Sequence, residues 1–204
     1  DSGEATKTSE YRRDSSGKMV LASNSSATMT KNIDGTLVTS ATVSDYDING
    51  KPAVTRQIEG ITTTSGDGKM QTTTSTIKAV DHLRGGIGES SREVVTVQTD
   101  GNTIRSESVM QRPTASGWDN NSRASTVETR NSDGTIQRET IVEGRSLYGG
   151  GALNAALTPQ VKTVERQVRQ SDGTIVIQRD DYRRDVNGDW KPVTFSTDVA
   201  KVGY

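Results

Sequence analysis

Apolar positions in this chain come singly or in short β-branched clusters, and glycine-bearing dipeptides interrupt them at near-regular intervals. The interruptions are Ser16-Gly17, Asp34-Gly35, Asn49-Gly50, Asp67-Gly68, Asp100-Gly101, Ser116-Gly117, Asp133-Gly134, Asp172-Gly173 and Asn187-Gly188. Asn-Gly and Asp-Gly accept the positive φ that tight hairpin turns demand, so each dipeptide predicts a chain reversal. The segments between them, about 12–16 residues long, are rich in Thr, Val and Ile, as in 91–99 and 174–179. Strands of that length would span roughly 40–50 Å at the usual rise. They exceed the common strand length of about 5–6 residues, so some are expected to bend at bulges. Apolar residues at helical spacing are confined to 152–157. The predicted fold class is all-β: a tandem β-hairpin repeat forming a long antiparallel meander, with few or no helices.

The turns carry a period. Glycines 35, 68, 101 and 134 step by 33 residues, and a second series runs through 17, 50 and 117, with Gly85-Gly86 near its missing member. Gly173 follows Gly134 by 39 residues, which points to about six inserted residues within the irregular segment 144–160, around Gly149-Gly150-Gly151. Short identities support the same register. Asp-Gly-Thr recurs at 34–36, 133–135 and 172–174, Thr-Val-Glu at 126–128 and 163–165, and Tyr11-Arg12-Arg13-Asp14 returns as Tyr182-Arg183-Arg184-Asp185. A repeat of this length is the mark of an array whose unit is one supersecondary element, here two strands and two turns. The expected organisation is a single β-repeat domain over 11–204, preceded by an extension at 1–10 that is either a tail or a strand donated to a neighbour.

Composition explains why the alternation is only partly amphipathic. Val, Ile, Leu and Phe total 37 of 204 residues, under the fifth or so at which disorder becomes a serious reading. Ser and Thr supply 50. In 161–169 both faces of the predicted strand mix charged with β-branched residues, whereas a sandwich needs one nearly pure apolar face. A two-sided polar sheet must instead be held by cross-strand pairs, Thr–Thr ladders and opposite-charge ladders. A large oily core is thereby excluded.

With 25 basic and 26 acidic residues the net charge is −1, which leaves no surplus for nucleic acid. No apolar run approaches the ~18 residues of a membrane helix, and the apolar band and aromatic girdles of an outer-membrane barrel are missing. The absence of cysteine removes disulfides, thiolate metal sites and a cysteine nucleophile. Richness in Ser, Thr, Asn and Gly points to a secreted or surface protein. The start at Asp1 without Met reads as a processed N-terminus whose signal peptide has been removed. Asn24-Ser25-Ser26 and Asn120-Asn121-Ser122 match the glycosylation acceptor pattern.

Long strands, Asp-Gly and Asn-Gly turns and Thr-, Glu- and Lys-bearing faces resemble the single-layer β-meander of spirochaete outer-surface lipoproteins. Tyr46-Asp47-Ile48-Asn49-Gly50-Lys51 is similar to the tyrosine-aspartate core of the YD/Rhs repeats of large secreted bacterial shells. At Tyr182 that pattern lapses, because Arg183 stands in place of the Asp. These resemblances imply a bacterial surface or secreted β-repeat protein and no enzymatic role.

Candidate chemistry is sparse. Asp45, Asp47 and Asn49 place oxygen ligands at alternate positions before a sharp glycine turn, like the opening of a calcium loop. The closing Glu is missing, with Arg56 at that position, and the same residues also suit a plain hairpin turn with solubilising carboxylates. Asp185-Val186-Asn187-Gly188-Asp189 is a weaker version. Calcium is the one cofactor these positions suggest. The lone histidine, His82, reads as a surface residue, and neither a triad nor a zinc set can be built around it. Gly85-Gly86-Ile87-Gly88 lacks the Lys of a phosphate loop. Trp118, Trp190, Tyr11, Tyr148 and Tyr182 read as packing at hairpin ends. Arg183-Arg184 beside Asp180, Asp181 and Asp185 reads as part of an ion-pair ladder. The chain is not expected to be an enzyme.

A meander leaves two unpaired edges. The polar segment 1–9 and the strand-like 194–202 are the expected edges, and head-to-tail pairing between them does not close. The functional expectation is a structural subunit of an extracellular bacterial filament or matrix, whose partners are other copies of itself. The alternative is a surface binding or adhesion module recognising a protein or glycan through loops 79–91, 112–123 and 144–160. Intrinsic disorder is the third reading.

Overall fold

The computed structural model describes residues 3–81, 85–145 and 156–201. Twelve strands follow one another: β1 (Gly3–Arg13), β2 (Met19–Lys31), β3 (Leu37–Tyr46), β4 (Pro52–Thr64), β5 (Met70–Val80), β6 (Ile87–Asp100), β7 (Thr103–Thr114), β8 (Gly117–Arg130), β9 (Ile136–Arg145), β10 (Leu157–Arg169), β11 (Thr174–Arg184) and β12 (Trp190–Lys201). They form one 12-stranded sheet in chain order, an antiparallel meander. The described residues contain no helix, and hence none long and apolar enough to cross a membrane. The all-β meander expected from the turn pattern is the observed class. All nine predicted turn glycines adopt positive φ.

Two kinds of turn recur. From odd to even strands, Asp14, Asp47 and Asp185 each open a five-residue reversal in which the Asp and turn-glycine amides close the backbone ring, as in Asp47 N to Lys51 O and Gly50 N to Asp47 O, both 3.1 Å. The Asp carboxylate then accepts the amides two and four residues on: Ser16 and Lys18, Asn49 and Lys51, Asn187 and Asp189. From even to odd strands the Asp stands immediately before the glycine, and Asp34, Asp133 and Asp172 each cap only the Thr after it, Thr36, Thr135 and Thr174. In both kinds a local side chain satisfies amides that the ladder leaves over, so the turns need no tertiary support.

The predicted bulges are present. Ala22 in β2, Thr55 in β4, Gln160 in β10 and Val193 in β12 are each the extra residue where the register shifts. Ala22 and Thr55 stand 33 positions apart, as do Gln160 and Val193. At Gln160 the facing strand makes room: a Cβ on Gly144 would lie 2.9 Å from the Gln160 amide, whose Nε2 donates to the Arg145 carbonyl at 3.1 Å.

Three expectations need adjustment. The expected extension at 1–10 is strand from Gly3 onward: it forms most of β1, which pairs with β2 of the same chain from Gly3 opposite Thr30 to Arg13 opposite Met19. Loop 112–123 shrinks to a tight reversal, because β7 runs through Thr114 and β8 begins at Gly117. The irregular segment 144–160 is strand at both ends, Gly144 and Arg145 in β9 and 157–160 in β10. Its centre, 146–155, which holds Tyr148 and most of the expected helical stretch, lies outside the described residues.

The sequence places one repeat domain over 11–204; by its contacts the chain divides into two compact units. One comprises Asp1–Gly66, Gln71–Val94 and Gln111–Asp119, the other Asp67–Met70, Val95–Met110 and Asn120–Tyr204. Neither holds an oily core. No apolar side chain is buried among the described residues, and the one buried polar residue is Thr135, at 4% exposure. Both faces of most strands are half-covered by their neighbours in the sheet, so side-chain stabilisation comes as cross-strand pairs at roughly 0.2–1 kcal/mol each.

Candidate functional site

Asp47 and Asn49 stand in the turn after β3, where Asp47 Oδ1 accepts the Asn49 and Lys51 amides at 2.8 and 2.9 Å, while Asp45 lies in β3 opposite Ser23 and Ala53. Among the described residues no group of three or more His, Asp or Glu side chains is gathered around a common point. The parallel Asp185 turn is equally occupied: its carboxylate accepts the Asn187 and Asp189 amides at 2.9 Å, and Lys191 Nζ stands 3.6 Å away. Asp189, Asn187 and Lys191 together hold Asp185 below the usual carboxylate range, with the Asp189 amide the largest cause. His82 lies outside the described residues. Gly85 and Gly86 close a reversal, Asp81 N donating to Gly86 O and Gly85 N to Asp81 O, both 2.9 Å.

The large rings divide into two groups. Trp118 near the start of β8 carries the Arg92 guanidinium of β6 4.3 Å above its centroid, a cation–π stack. Trp190 opens β12 opposite Arg184, whose Nε donates to the Gly188 carbonyl at 2.8 Å. Arg184 thus braces a turn, while Asp181 pairs instead with Arg179 and accepts from Thr163. Tyr11 and Phe195 are different: at 59% and 69% exposure they stand open on the two outermost strands.

Charged ladders occur where strands carry opposite charges in register. Arg138 of β9 faces Glu128 of β8 and Glu165 of β10, and its guanidinium bonds both, at 2.7 and 3.1 Å. Arg130 adds a second contact to Glu128. Arg138 first and Arg130 second hold Glu128 below the usual carboxylate range. Arg123 likewise bridges Glu143 and Glu107, and the bond to Glu143 raises its already high pKa.

The outer strands are the least satisfied part of the sheet. Among the described residues β1 pairs only with β2, and it is exposed along its whole length. β12 pairs only with β11 and exposes Val193, Phe195 and Val199. Its edge is blunted at one end by Pro192, which has no amide to donate, and by the bulge at Val193. From Thr194 to Lys201 the strand continues without either device. The sequence marks both segments as edges, with Phe195 inside the second; Tyr11, expected to pack at a hairpin end, stands exposed instead.

No family model matches the chain, no curated protein matches it, and no solved structure matches it.

Proposed function

We propose that this chain is a structural subunit of an extracellular bacterial filament or matrix, and that it associates with other copies of itself through its outer strands. The supporting observation is that, among the described residues, β1 and β12 each pair on one side only and each expose a large aromatic ring. A row of free N–H and C=O groups is a template for another strand. Contact between two different edges is heterologous, so it propagates rather than closes. A sheet with no oily interior also has most to gain from added ladder partners. In this reading calcium and catalysis have no part.

The alternative, a surface module that binds a protein or glycan, draws on the Arg92–Trp118 stack beside the turn between β7 and β8. Sedimentation velocity across a concentration series, with electron microscopy of the concentrated sample, tests the first reading. Growing multimers and fibres are expected. A protein that stays monomeric while keeping its full β-sheet spectrum overturns it.

A further inference from the structure

Within the chain, two hairpins of the even-to-odd kind set a common register. The bulges and turn aspartates align the strands: Val193 of β12 corresponds to Gln160 of β10 and to Ala22 of β2, while Asp14 at the end of β1 corresponds to Asp185 after β11 and to Asp47 after β3. The recurrence of Tyr11-Arg12-Arg13-Asp14 at 182–185 supports the second alignment from the side chains. β12 therefore has the place of an even strand and β1 that of an odd strand, each paired on one side among the described residues.

We infer that β12 of one copy pairs antiparallel with β1 of the next in a single defined register that sets Phe195 directly opposite Tyr11. This rests on the self-association reading above and names its contact. Two independent pairings lead to it. Lys162 of β10 faces Tyr182 of β11, and moving each to its counterpart gives Phe195 against Tyr11. Asn24 of β2 faces Ser44 of β3, and the same transfer again gives Phe195 against Tyr11. The remaining pairs follow as Thr194 with Arg12, Ser196 with Glu10, Thr197 with Ser9 and Asp198 with Thr8, none of which opposes like charges. The two rings left most exposed on the outer strands become a cross-strand aromatic pair, among the stronger pairs a sheet offers. A shift of one residue would send the rings to opposite faces, and a shift of two would separate them.

The chain's lack of cysteine makes the register directly measurable. Ser9 and Thr197 are exposed, so Ser9→Cys and Thr197→Cys leave the sheet undisturbed. The full-length double variant, oxidised at assembly concentration, is expected to give a covalent ladder of multimers. Mixing the two single variants should give a mixed Ser9→Cys/Thr197→Cys dimer. A diagonal control, Ser9→Cys with Val199→Cys, places its Cβ atoms about 7 Å apart, too far for a disulfide, and should cross-link at least tenfold more slowly. Phe195→Ala should weaken assembly about tenfold, with the monomer's amide-exchange protection retained. Multimers in the ultracentrifuge that cross-link equally in the control, or in neither variant, overturn the register and leave self-association standing. Monomers throughout, with β-sheet spectra intact in the reduced variants, overturn both.

Discussion

Strands β2–β5 and β8–β11 are built on the same plan, yet they pair their side chains with different chemistry. In β2–β5 the charged residues are Lys31, Asp45, Arg56, Glu59 and Lys78, spread over four strands. In β8–β11 every strand carries four or five. The row Ala27–Ala41–Ile58–Ile77 crosses the first group; the row Glu128–Arg138–Glu165–Arg179 crosses the second. Hydroxyl pairs recur in both, Thr62 with Thr73 at 2.8 Å and Thr126 with Thr140 at 2.9 Å. A protein with one shared core must match all its elements to that core. A sheet without one asks each residue only to suit its neighbours on the same face, so composition is free to drift along the meander while the fold stays the same.

The sharpest way to break this comparison is Arg138→Ala. It removes the one guanidinium that bonds both Glu128 and Glu165, whose side chains are only 13% and 19% exposed, leaving Glu128 with Arg130 and Glu165 with the Gln167 amide. The expected loss, about 2 kcal/mol, lies between exposed and buried pairs, and amide exchange should show it in β8–β10 while β2–β5 stay protected. Acid should act on the same ladder. Glu128 is held below its ordinary pKa by Arg138, so its contribution is complete above the ordinary carboxylate range and disappears as pH falls through the lowered value. Exchange protection in β8–β10 should therefore fall before that of β4 and β5 as pH drops below about 4, and raising salt to about 1 M, where the Debye length is near 3 Å, should weaken only the charged ladder.

Turns provide the internal control. Gly35→Ala and Gly134→Ala each force a Cβ into positive φ, at 84° and 81°, and should cost a similar amount, about 1 kcal/mol, in either region. Unequal losses in thermal melts would show that the charged strands, and not the turn, set the local stability. The smallest effects are expected at Glu59→Gln and Thr62→Val. The first loosens the Lys78–Glu59 pair, whose Glu is 60% exposed, and should change stability by no more than about 0.5 kcal/mol. The second removes one hydroxyl from a Thr–Thr pair and should cost about 0.5–1 kcal/mol. A large loss at Glu59 would mean that the neutral strands depend on charge after all.

Much of this architecture was legible before any coordinates, because its causes are local. A hairpin turn needs only a few residues of the right chemistry, so Asp-Gly and Asn-Gly dipeptides located the reversals, and the strands between them followed from β-branched content. The calcium reading of Asp45, Asp47 and Asn49 competes with a plain turn because composition is silent on where a carboxylate's lone pairs go; in the fold one oxygen of Asp47 accepts the turn's own amides. Segment 1–10 was ambiguous for a similar reason, since a polar strand and a polar tail have the same composition until a partner is seen. Pairing across the ladder is what folding adds: it put β1 against β2, set Arg138 between two glutamates, and placed an extra residue at Ala22, Thr55, Gln160 and Val193. Register is a relation between strands, and a periodic chain of near-equivalent strands does not declare it until the hydrogen bonds form.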